Sequence, residues 1–69
     1  MTREKALEIV RNEGFGWNVT TLIWITGDLV AINCQYQDKH NYIIFDVAAD
    51  AVRYIGRGVV EWREKQCLH

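Results

Sequence analysis

The sequence predicts a mainly β domain, with one amino-terminal helix and five short antiparallel strands in a strongly bent sheet or small barrel. Two observations lead there. Apolar residues fall at helical spacing only as far as Glu13, and from Trp17 onward the period changes to alternation, with β-branched and aromatic residues enriched. A third is punctuation: the chain has no proline and its polar turns are a few residues long, so successive strands must be joined mostly as hairpins. With 69 residues, 49% hydrophobic and 25% charged, the chain has the composition of a folded protein and apolar material for one core; residues 1–69 read as a single domain. A core of that size seldom supplies more than about 3–5 kcal/mol, so a disulfide, a metal or a partner subunit is expected to supplement it.

The helix is placed at about residues 2–13. Thr2 suits the N-cap and Glu4 the positive end of the dipole, while Ala6, Leu7, Ile9 and Val10 form one apolar stripe opposite Arg3, Glu4, Glu8, Arg11 and Asn12. Gly14 stops it as a C′ glycine. The first strand is placed at 17–25, and Thr26-Gly27-Asp28 turns the chain into a second at 29–36, where Val30, Ile32, Cys34 and Tyr36 share one face and Ala31, Asn33 and Gln35 the other. Gln37 to Asn41 is polar and reads as a turn; Tyr42 to Val47 is more continuously apolar, as expected of a strand covered on both sides. Gly56 and Gly58 interrupt the last alternating stretch, which divides it into strands at 51–55 and 59–63.

Cys34 and Cys67 form no CxxC pair, and His40 and His69 lie far from any ligand spacing, so neither a metal site nor a disulfide framework is indicated, and no cofactor is expected. One Cys34–Cys67 bridge is compatible with the count, but Met1 to Lys5 contains no apolar signal region and the chain reads as cytoplasmic and reduced. No apolar run approaches about 18 residues, which excludes a membrane span. Oligomerisation is left as the supplement to the core. A net charge of -1 argues against binding nucleic acid by bulk positive charge, although residues 14–50 carry a surplus of three acids and residues 51–69 a surplus of two bases.

Ile25-Thr26-Gly27-Asp28-Leu29, then Gln37-Asp38-Lys39-His40, then the apolar strand from Tyr42 to Phe45 ending in Asp46 resemble the first Sm motif of the Hfq-type bacterial Sm-like proteins, most like their diverged cyanobacterial branch. Arg57 with Val59 and Val60 is similar to the second motif. The resemblance spans nearly the whole chain and implies an Sm-like, SH3-type five-stranded barrel, a homohexameric ring closed through edge strands, and binding of single-stranded U-rich or A-rich RNA in post-transcriptional regulation, as an RNA chaperone. The RNA-binding residues it implies are Lys39, His40, Arg57, Asp38 and Gly27, with His40 as the base-stacking group. Ile32 stands where the family usually has glycine, and Ala6 near a helix glutamine that contacts RNA; Ile55 to Gly58 replace a Tyr-Lys-His run. These departures lead to the alternative, an Sm-like ring or small β-module that binds a protein partner with little affinity for RNA.

Each side chain also has a plainer reading. Asp38 fixes its own turn by an Asx hydrogen bond, His40 is a solvated turn residue, and Trp17, Trp24 and Trp62 bury their area in the core or a subunit seam. An enzyme is not expected: no Ser/His/Asp or Cys/His set, P-loop or GxGxxG is present, and the aspartates are scattered over turns and strand ends.

Overall fold

The structure, a computed structural model, describes residues 1–61. One helix, α1 (Arg3–Asn12), precedes four strands, β1 (Asn18–Thr26), β2 (Leu29–Tyr36), β3 (Lys39–Asp46) and β4 (Ala51–Arg57). The strands form one antiparallel meander in the order β1-β2-β3-β4, and the sheet is open. The smallest dimension, 18 Å, corresponds to one helix layer on one sheet layer.

The helix forms where its capping residues allow. The Thr2 hydroxyl accepts from the Lys5 N–H at 3.1 Å, Glu4 lies in the first turn and Arg11 in the last. At the far end Gly14, at φ +84°, donates to the Arg11 carbonyl at 3.0 Å while Phe15 donates to that of Val10 at 3.0 Å, the paired bonds of a Schellman stop. The stripe Ala6, Ile9 and Val10 is buried against Val19, Val30, Ile32, Cys34, Ile43 and Phe45, the core of the molecule. The Arg3 guanidinium donates to the Val19 carbonyl and ties the helix start to β1.

Register explains which faces are covered. Val30, Ile32 and Cys34 stand opposite Phe45, Ile43 and Asn41 on the helix side, whereas Ala31 and Asn33 stand opposite Ile44 and Tyr42 on the outer side. All five of these β2 residues are buried, so the strand covered on both faces is β2 rather than the expected 42–47 segment, whose burial alternates. The turn between them is shorter than expected. Gln37, at φ +57°, and Asp38 close a two-residue loop, and Lys39, His40 and Asn41 already belong to β3, with Tyr36 opposite Lys39.

The five-stranded bent barrel is not what the chain forms. Closing a barrel requires a last strand that pairs back to β1. Here Gly56 continues β4 rather than breaking it, because the Tyr42 ring lies where any Cβ would stand, 2.3 Å from Cζ. Gly58, at φ +103°, then turns the chain, and Val59 to Glu61 are not in a strand. Of the strand expected at 59–63, residues 62 and 63 lie outside the described residues, as does Trp62. The Sm-like resemblance fails at the same point, since its fold is a closed, strongly bent sheet. Nor are the two described tryptophans buried: Trp17 is 72% exposed and Trp24 49%.

Candidate functional site

The helix covers the part of the sheet built on Val30, Ile32, Ile43 and Phe45 and leaves one corner open. There the ladders place Tyr36 beside Lys39, Asn41 beside Arg57 and Ile43 beside Ile55, so Tyr36, Lys39, Asn41, Ile55 and Arg57 fall on the helix side. Gly14 and Phe15, just after the helix stop, form the opposite wall, and the enclosed groove measures about 830 Å³. A second cleft of about 380 Å³ adjoins it across Tyr36 and Gly14, lined by Arg11, Asn12, Gly16 and Trp17. Gly16 is required at that boundary: it has φ +83°, and a Cβ would lie 2.4 Å from Tyr36 Cδ1. The Arg11 guanidinium lies 4.5 Å from the Trp17 ring centroid in a cation–π contact.

The electrostatics of this corner are one-sided. Lys39 and Arg57 line the groove and Arg11 the adjoining cleft, and among the described residues no carboxylate lines either. The described ion pairs lie elsewhere, Lys5 with Glu8 and Asp50 at 3.4 Å each and Arg53 with Asp46 at 3.0 Å. The hydrogen bond that the Lys5 ammonium donates to the Asp50 carboxylate, and that carboxylate's charge, raise the Lys5 pKa. The Ala49 N–H and then Arg53 hold Asp46 below the usual carboxylate range. Burial pushes the Cys34 thiol up. Among the described residues no three His, Cys, Asp or Glu side chains gather into a metal site.

Of the residues singled out from the sequence, the structure brings Lys39, His40 and Arg57 together on the groove. Lys39 and His40 belong to a strand rather than to a loop, and alternation sets them on opposite faces, Lys39 on the helix side and His40, opposite Gln35, on the outer; the His40 carbonyl accepts from the Gly58 N–H at 2.9 Å. Asp38 sits at the tip of the β2–β3 turn, and no Asx hydrogen bond from it occurs among the described residues. Gly27, at φ +52°, serves the β1–β2 turn at the other end of β2, about 25 Å away for a strand of eight residues. It takes no part in the groove. Sequence reasoning missed Tyr36, Phe15, Ile55 and the Arg11–Trp17 pair, which come together only through the register and the helix stop. The signal available was Gly14 and Gly16 around Phe15, two glycines where a loop must pass close to another chain segment.

Comparison with known protein families, with curated proteins and with solved structures finds no match for this chain. The Sm-like, Hfq-type reading is therefore corrected along with its consequences. A homohexameric ring, binding of U-rich or A-rich RNA, an RNA-chaperone role and the Sm-like protein-binding ring all rested on a barrel that the open sheet replaces. No helix among the described residues is long and apolar enough to cross a membrane.

Proposed function

We propose that the protein is a non-catalytic binding module that takes an extended, acidic peptide segment as an added strand along the outer edge of β4. One coincidence carries the reading. Among the described residues β4 pairs with another strand on one side only, and that same strand supplies Tyr54, Ile55, Gly56 and Arg57 to the cationic groove. An unpaired edge presents a row of main-chain donors and acceptors, which an extended peptide satisfies by strand addition. Alternate side chains of that peptide then point into the groove. Carboxylates there meet Lys39 and Arg57, and apolar groups meet Phe15, Tyr36 and Ile55. A nucleic acid has no main-chain amides to offer the edge, which favours a peptide over an RNA.

Peptide selection then follows from charge: the exposed cations contribute attraction that falls as salt screens it over about 8–10 Å. A single added strand buries little surface, so the interface belongs to the weak, transient class. Fluorescence anisotropy with a labelled peptide of alternating Glu and Val tests the reading. Saturable binding is expected, with Arg57→Glu and Lys39→Glu each weakening it about tenfold, or about 1.4 kcal/mol. Equal binding of a control peptide of alternating Lys and Val, or tighter binding of an oligonucleotide at the same salt, contradicts it.

A further inference from the structure

Asn33 is the one buried polar residue of the described core, 1% exposed, in the middle of the strand buried on both faces. A buried amide is costly unless its donors and acceptor are satisfied. Two of its three side-chain hydrogen bonds go to a piece of chain far away in sequence. Oδ1 accepts from the Val60 N–H at 2.8 Å, and Nδ2 donates to the Val60 carbonyl at 2.7 Å and to the Thr21 hydroxyl at 2.8 Å. Both main-chain groups of a single residue are thus held by one amide, as a neighbouring strand would hold them.

Among the described residues the apolar contribution to this contact is small. Val59 is exposed and Val60 only half-buried, while Gly58, at φ +103°, gives the chain the left-handed turn that brings it from the end of β4 onto the outer face. We infer that residues 58–61 form a strap seated on Asn33, which docks and releases as a unit while the core stays folded. Segments held by few buried apolar contacts open at lower free energy than the core they rest on. Release also breaks the Gly58 to His40 hydrogen bond and frees the Arg57 end of β4, so the strap adjoins the groove without being part of it.

Amide hydrogen exchange by NMR, on the full chain without any peptide, tests this independently of the binding reading. The Val60 amide is expected to exchange at least tenfold more slowly than an unprotected amide and at least tenfold faster than the amides of Ile32 and Ile43. The Asn33 side-chain amide is expected to share the Val60 rate. Asn33→Ala should abolish Val60 protection. Because that variant also removes a core group, Gly58→Ala provides the second measurement: its strained φ should raise the Val60 rate severalfold with the Ile32 and Ile43 rates unchanged. Val60 exchanging at the unprotected rate in the unaltered chain, or in step with Ile32 and Ile43 throughout, overturns the inference.

Discussion

Asp46 shows how much of this small fold depends on single polar side chains at its turns. It closes the β3–β4 connection by accepting from the Ala49 N–H at 3.0 Å and from the Arg53 side chain at 3.0 and 3.2 Å, and both interactions favour its charged form. A carboxylate whose folded pKa is depressed contributes stability that is fully present above its unfolded value of about 4 and is lost as pH falls through the lower folded value. Urea unfolding of the native chain and of Asp46→Asn should therefore differ at pH 7 and converge near pH 2; an equal gap at both pH values contradicts the assignment. Cys34 makes the opposite case. Its parity on the second strand was legible in the sequence and it is buried with its thiol donating to the Asn41 carbonyl at 3.4 Å. Burial keeps the thiol protonated, so in a Cys67→Ser background iodoacetamide should label Cys34 at pH 8 only after urea unfolds the chain. Trp17 was not legible in this way: its size argues for burial, yet a stacked arginine satisfies it at the surface.

Helix and hairpins follow local signals, and here the sequence is informative. Thr2, the Ala6-Ile9-Val10 stripe and Gly14 bound the helix at Arg3–Asn12, within a residue of expectation. Gly27 marks the first hairpin turn. Errors arise where two segments distant in sequence decide the outcome. Gly56 reads as a strand break, but it is the space for the Tyr42 ring inside a continuing strand. The alternation from Val59 onward reads as a fifth strand, but Gly58 and Asn33 direct the chain onto the outer face instead. The loop between α1 and β1 is the most constrained of these connections. Gly16→Ala combines an unfavourable positive φ with a Cβ 2.4 Å from the Tyr36 ring, and is expected to cost about 1–2 kcal/mol by the left-handed penalty alone. A double-mutant cycle with Tyr36→Ala should recover the steric part and not the backbone part. Additive losses would show that the ring is not what excludes a side chain there.

For the whole molecule, length and composition set the problem of a chain with little core, and the solution lies in how the sheet is covered rather than in a closed barrel. One helix seals the helix side of β1 and β2, the two faces of β2 are both buried, and four strands packed on a helix meet the minimum that an independently stable sheet needs. The same economy leaves a corner uncovered. Lys39, His40 and Arg57 line it, three residues that the sequence groups together, though for RNA and for a fold the chain does not adopt. The aromatic wall and the β4 edge, unpaired among the described residues, depend on tertiary register and could not be read from spacing.

Strand addition makes a spatial prediction that separates it from diffuse attraction to surface cations. Titrating the isotope-labelled protein with the Glu-Val peptide and following backbone amide shifts by NMR should move the resonances of Ala51–Arg57, Lys39 and His40 together, saturably, and leave Gly27 and Asp28 unmoved. Shifts confined to Trp24, Ile25 and the Gly27 turn, or spread evenly over every exposed lysine and arginine, would contradict the placement of the binding site on β4.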